Sequence, residues 1–261
     1  LSYYCNTPDF VWKDPSTYSV EKANHFMDLE VFERALKGSK VEKPFEMDRR
    51  TFEKTFPSGP ETAGRAWWRV REMNDQLLEF QMYLQAPGLK KEKQHELQGE
   101  WLVRAGAIGH YVGDLGMPMH VTDNHDGQLT NQKGLHSFFE DRVVNEVYSN
   151  GLNLEAEVFK AAEKKWKSER APLAKKSVLE LVQDVSLESV KALPGMLKTD
   201  REVGRSKIKK AASAYRALIV SRLASSSVAL AEIYRRGIGF DWNEDKFYTW
   251  HASPKYIYPP K

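Results

Sequence analysis

The chain has a single cysteine, Cys5, among 261 residues. No disulfide can form within it, and a zinc thiolate cluster is excluded by count, so any metal site has to be built from His, Asp and Glu. Long hydrophobic runs are lacking as well. The longest apolar-rich tract, residues 217–233, is interrupted by Ser, Arg and Glu, short of the ~20 apolar residues of a membrane-spanning helix. Charge of one sign is not in excess: the formal net charge is +3, small for this length, which argues against a dedicated cationic surface for nucleic acid or membrane. No stretch alternates as a convincing strand would, and no fixed-period repeat occurs.

What is present is a soluble, globular balance of 41% hydrophobic and 29% charged residues. Helical periodicity accounts for most of the chain. It predicts a helix, or a turn plus a helix, over 18–38, a helical turn over 49–54, and helices over 61–84, 92–115, 135–148 and 153–170. Two more follow over 174–198, with a break near Pro194, and 200–236. The ends are aromatic and proline-punctuated: 1–16 reads as loop or a short helical turn, and 237–261 as irregular. The expected architecture is all-α, a single-domain multi-helix bundle over 1–261. The helix over 92–115 carries Gly99, Gly106, Gly109 and Gly113. Each costs a helix roughly 1 kcal/mol relative to alanine, so the run points to close approach of another helix or of a site.

The chemistry concentrates in HYVGDLGMPMHVTDNHDGQLTNQKGLHSFFE, residues 110–140. Five candidate metal ligands lie there: His110, Asp114, His120, His136 and Glu140. His110 with Asp114, and His136 with Glu140, are spaced i, i+4, so each pair shares one helix face and can aim at one point. Zinc is normally four-coordinate and a catalytic zinc keeps a position for water, so five ligands suggest at least two metals. A natural division is His110 and Asp114 on one, and His120, His136 and Glu140 on the other, with Asp114 able to bridge. Asp9 and His25 can complete the first. The remaining histidines read differently: His125 as a solvated loop residue, His95 as surface, His251 as packing in the tail. Asp28 competes with Asp9 but reads as a cap or ion-pair partner. Trp67 and Trp68 read as core, and the Lys/Arg-rich stretch 163–176 as a solvated helix face.

The order H-x3-D-x5-H, about 15 residues, then H-x3-E resembles the zinc-dependent phospholipase C family, which shares an all-helical fold with the single-strand-specific zinc nucleases. HYVGDLGMPMH is similar to that family's HY(L/I)GD-x-x-QP-(M/L)-H signature, with Met117 in place of Gln. KGLHSFFE is similar to its G-(F/L/I)-H-S-x-(W/Y)-E segment. NHFMD is similar to the segment bearing another zinc histidine, which maps to His25, and the family's upstream aspartate, a ligand or general base, maps to Asp9. The likeness covers about residues 5–145. It implies a cluster of two to three zinc ions in a cleft between helices, with Asp9 as the catalytic base or ligand. In the family a third zinc is held by an N-terminal Trp and a nearby His. Neither has a counterpart here, so the resemblance implies either an N-terminal segment upstream of Leu1, the favoured expectation, or a member with only two metals.

The resemblance implies phosphodiester hydrolysis. A phospholipase C-like activity on a phospholipid headgroup is favoured by Glu140, where the nucleases have Asp, and by the loop DNHDGQLTNQKG, which lacks their DRGGN-type run. Of the two family positions that hold choline by cation–π contact, Phe10 matches and Lys22 does not. The alternative is a single-strand nuclease or 3′-nucleotidase, for which Phe26 or Phe138 would stack on a base. A third possibility is a non-catalytic metal- or lipid-binding helical protein. No stable protein partner is implied. The resemblance also implies a secreted or periplasmic location.

Overall fold

The structure, a computed structural model, describes residues 1–36, 49–55, 63–149 and 153–237. Among them every regular element is helical, and the only strand-like feature is one isolated bridge between Met27 and Gly64. The helices are α1 (Ser2–Cys5), α2 (Tyr18–Glu21), α3 (Leu29–Leu36), α4 (Arg49–Thr55), α5 (Ala66–Leu84) and α6 (Lys91–Gly116). The three contiguous pieces Leu135–Ser137, Phe138–Val143 and Val144–Ser149 make α7. They are followed by α8 (Leu154–Leu173), α9 (Val178–Val203) and α10 (Ile208–Gly237). The expected all-α bundle is thus what forms. The aromatic tail with His251 lies outside the described residues.

Helices α5 and α6, joined by a short connection, pack along each other, and α9 and α10 close over them. The aromatic centre is Phe32, Phe52, Trp67 and Trp68, with Phe52 stacked on Trp68 at 4.3 Å and Trp67 donating from Nε1 to Ser186 Oγ at 2.9 Å. A second apolar cluster gathers Met119, Leu135, Phe139 and Val143 against Tyr215 and Ile219 of α10. The polar segment 120–134 links the end of α6 to α7, the two helices that carry His110, Asp114, His136 and Glu140.

Several boundaries differ from the periodic expectation, each for a local reason. The stretch 18–38 is not one helix. After α2 a 3-10 turn, Lys22–His25, ends at Phe26 in extended geometry, because Met27 and Leu29 give their N–H groups to the carbonyls of His120 and Val121. α5 starts at Ala66, since Gly64 has φ +86 and pairs with Met27. Pro194 does not break α9; the break falls at Gly204, φ +68, which caps that helix. α9 begins on a capping box, Ser177 with Glu180. By length and composition α10 could cross a bilayer, a property the interrupted apolar tract did not suggest, yet 44% of its apolar window is buried against the other helices.

The glycines of α6 divide. A Cβ at Gly106 would lie 2.4 Å from Tyr4 Cβ, and one at Gly116 would lie 2.1 Å from Ser226 Oγ. These two permit α1 and α10 to approach α6 closely. Gly113 has open space around it and serves no such contact.

Candidate metal centre

Two groups of side chains converge, each with ligand atoms within 4.8 Å of one another and each able to hold a metal ion: Asp9, His25 and His110, and His120, His136 and Glu140. Their carriers come from five places in the chain, with His120 closing the 3-10 turn Pro118–His120 just after α6. Asp9 sits in a π-helical turn, Pro8–Trp12, opened by a proline at the first position, where its missing N–H costs nothing. His25 ends the 3-10 turn. His110 and Asp114 occupy the last turns of α6, and Ser189 Oγ of α9 fastens that end by donating to the Leu115 carbonyl at 2.8 Å. His136 and Glu140 lie on α7, Glu140 within its π-helical turn.

In the first group His25 Nδ1 is 3.0 Å from His110 Nε2 and 3.7 Å from Asp9 Oδ1, and His110 Nε2 is 3.6 Å from Asp9 Oδ2. In the second His136 Nε2 is 3.2 Å from His120 Nε2 and 3.0 Å from Glu140 Oε2, and His120 Nε2 is 3.5 Å from Glu140 Oε1. Asp114 stands between them. Its Oδ2 is 3.0 Å from His25 Nδ1 and 3.3 Å from His110 Nε2, and its Oδ1 is 3.9 Å from His120 Nε2. Ligands placed ~2.0–2.1 Å from a tetrahedral ion are about 3.3 Å apart, so these spacings match the edges of coordination polyhedra. The fit is chemical as well as metric. In each group two imidazole nitrogens point at each other beside carboxylate oxygens, an arrangement of lone pairs that a cation satisfies.

The outward ring nitrogens are anchored. His120 Nδ1 lies 2.8 Å from the His25 carbonyl oxygen and His136 Nδ1 lies 2.7 Å from the His125 carbonyl oxygen. Donation to these carbonyls puts the proton on Nδ1 and leaves Nε2 free as a ligand. His125, read from sequence as a solvated loop residue, thus matters through its backbone. Asp126 holds the start of α7 by accepting from the Gly134 N–H at 2.9 Å. Gln132 ties the same loop to α9 by donating to the Leu197 carbonyl and to Asp200. Neither Asp126 nor Glu21, which faces His25, was singled out by sequence. For Glu21 the signal was available, because it is spaced i, i+4 from His25.

Charges in the metal-free chain follow this geometry. Burial alone would lower the His120 pKa, but Asp114 and Glu140 beside it, with the His25 carbonyl, raise it to about 9. Burial would raise Glu140, but His120 and His136 hold its carboxyl far below the usual range. Asp114 is also lowered in spite of burial, by His120, His110 and His25. Burial is the dominant effect on His110 and lowers its pKa. The second group therefore keeps a proton near neutral pH that a bound cation would displace.

The aromatic candidates fare differently. Phe10 is 84% exposed next to Asp9. Phe26 packs its ring and carbonyl against Gly64. Phe138 is buried, with the guanidinium groups of Arg142 and Arg205 over its ring at 5.6 and 5.7 Å. Of the three rings Phe10 is the most open. Lys13, partly exposed, lies 2.5 Å from Asp9 Oδ1.

Comparison of the chain with protein-family models, with curated proteins and with solved structures finds no match.

Proposed function

We propose that this chain is a zinc-dependent phosphodiester hydrolase of the phospholipase C type, cleaving the headgroup phosphodiester of a phospholipid. The observation that carries the reading is Asp114, whose two oxygens face different histidine groups, Oδ2 toward His25 and His110 and Oδ1 toward His120. Two cation sites sharing one carboxylate suit a reaction in which negative charge is handled at two oxygens of one phosphate. Mixed imidazole and carboxylate donors favour zinc over calcium or magnesium, which take oxygen ligands.

In this reading Asp9, His25, His110 and Asp114 hold one zinc, and His120, His136 and Glu140 hold the other, with Asp114 reaching toward it. When bound, the metals supply a water made acidic near neutral pH and compensate charge on the phosphoryl oxygens. The chain's residues supply the rest. Asp9, the most exposed of the carboxylates in the two groups, stands at the opening, where it can accept the proton of the attacking water. Lys13 beside it offers a positive charge to a phosphate oxygen once Asp9 is engaged elsewhere. Phe10 presents an open ring to the substrate's non-phosphate part.

That same exposed ring favours a second reading, a single-strand nuclease or 3′-nucleotidase, in which Phe10 stacks on a base. Zinc-loaded protein assayed on phosphatidylcholine, other phospholipids, single-stranded DNA and a 3′-nucleotide separates the two. Headgroup release is expected. DNA or nucleotide cleavage without lipid cleavage would replace the first reading with the second. Metal uptake with turnover of none of these would leave a non-catalytic metal-binding protein.

A further inference from the structure

Glu21 belongs to neither ligand group, yet it is buried at the back of the first one. Its Oε1 faces His25 Nε2 at 3.4 Å. The Tyr111 hydroxyl donates to the same oxygen, Asn24 Nδ2 donates to Oε2 at 3.0 Å, and Arg69 Nη2 stands 3.8 Å from Oε2. The Arg69 guanidinium lies over the Trp12 ring at 5.3 Å and over the Tyr111 ring at 5.8 Å. Trp12 closes the turn that carries Asp9, and Tyr111 follows His110. One carboxylate therefore touches or is braced by the elements that bring Asp9, His25 and His110 together.

We propose that Glu21 is the positioning residue of the first metal site: it receives the Nε2–H of His25 and so holds Nδ1 toward the ion. The inference rests on the two-metal reading above. The reason is proton accounting. An imidazole that ligates through Nδ1 carries its proton on Nε2. That nitrogen is buried and makes no hydrogen bond among the described residues, and the Glu21 oxygen 3.4 Å away is the carboxylate it faces; a buried N–H without an acceptor is costly. The second site solves the same problem with neutral groups, the carbonyls of His25 and His125. Among the described residues Glu21 is the one side-chain carboxylate placed in this way outside the ligand groups, and a charged acceptor makes its imidazole a stronger ligand than a carbonyl does. The alternative is that Glu21 merely pairs with Arg69. Arg69 is farther from it than His25 is, and also faces Glu72 at 3.7 Å.

The test measures zinc affinity with a competing chelator, in two backgrounds that each keep one site. In His136→Ala, where only the first site is intact, Glu21→Gln is expected to weaken zinc binding by about 10–100-fold, and Glu21→Ala by more, since the amide oxygen of Gln can still accept from Nε2. In His25→Ala, where only the second site is intact, the Glu21 substitutions should leave affinity unchanged. Replacing bound zinc with cobalt should shift the visible absorption of the first site alone in Glu21→Gln. Equal losses at both sites, tracking a fall in metal-free stability, would reduce Glu21 to a structural role and overturn the proposal. So would first-site affinity within twofold of the parent. An otherwise unsubstituted chain that takes up no metal would remove the two-metal reading and this inference together. Uptake of two ions with no effect of Glu21 removes the inference alone.

Discussion

The carbonyl oxygen of His25 accepts from His120 Nδ1 at 2.8 Å, while the His25 ring turns its Nδ1 to Asp114 at 3.0 Å. One residue thus serves the first ligand group with its side chain and the second with its backbone. The Met27 N–H, donating to the His120 carbonyl at 2.9 Å, locks the same two segments from the other side. The two groups are thus joined through the backbone as well as through the Asp114 side chain.

This division predicts asymmetric losses. His25→Ala removes a ring from the first group and keeps the carbonyl that orients His120. Metal content should fall from two ions per chain to one, with the second group still loaded. His136→Ala should lose the other ion and nearly all activity. Metal analysis of both variants checks this, and retention of both ions in His136→Ala would sink the ligand assignment.

Asp114→Asn should differ from either. Its oxygens reach both groups, at 3.0 and 3.3 Å on one side and 3.9 Å on the other. Loss of its charge should weaken both sites, the first more than the second. Chelator competition on this variant would show two weakened affinities; weakening at one site only would argue against a shared carboxylate.

Asp28 predicts a pH effect on the metal-free protein. Burial, with Glu30 and Asp123 nearby, raises its pKa from 3.8 to about 8, and its Oδ1 has no hydrogen-bond partner. Here the folded state retains a proton that the unfolded chain has released. This group's contribution to stability is therefore highest below about pH 4 and is lost progressively as pH rises toward 8. Asp28→Asn removes that dependence. Denaturant unfolding at pH 5 and pH 8 should show the variant gaining on the parent with rising pH, by on the order of a few kcal/mol. An equal difference at both pH values would contradict it.

The glycines of α6 give opposite expectations from the same substitution. Gly106→Ala would drive a Cβ into Tyr4, which is fully buried, and should cost about 1–3 kcal/mol. Gly113→Ala meets open space and should gain up to about 1 kcal/mol from helix propensity. Thermal melts should move in opposite directions by a few degrees.

Much of this was legible in one dimension. The i, i+4 pairs His110–Asp114 and His136–Glu140 are local, and a helix brings such residues onto one face whatever surrounds it. The helical bundle, the core tryptophans and the need for non-thiolate ligands follow from periodicity and from the single cysteine. The placing of Asp9 and His25 beside His110 depended on a resemblance, because nothing local links residues so distant in sequence.

Tertiary structure alone decided the rest. Bonds from Met27 and Leu29 to the carbonyls of His120 and Val121 decided between the two readings of 18–38, giving a turn followed by a helix over Leu29–Leu36. The close approach of α1 and α10, not the ligands, explained Gly106 and Gly116. Packing, not sequence, left Phe10 exposed and buried Phe138 with two guanidinium groups near its ring. The i, i+4 spacing of Glu21 and His25 is local, but the burial of His25 Nε2 against that carboxylate comes from packing. Periodicity records which residues share a face of one helix. Which faces meet, and which polar atoms are left facing each other without water, is set by packing among segments far apart in the chain.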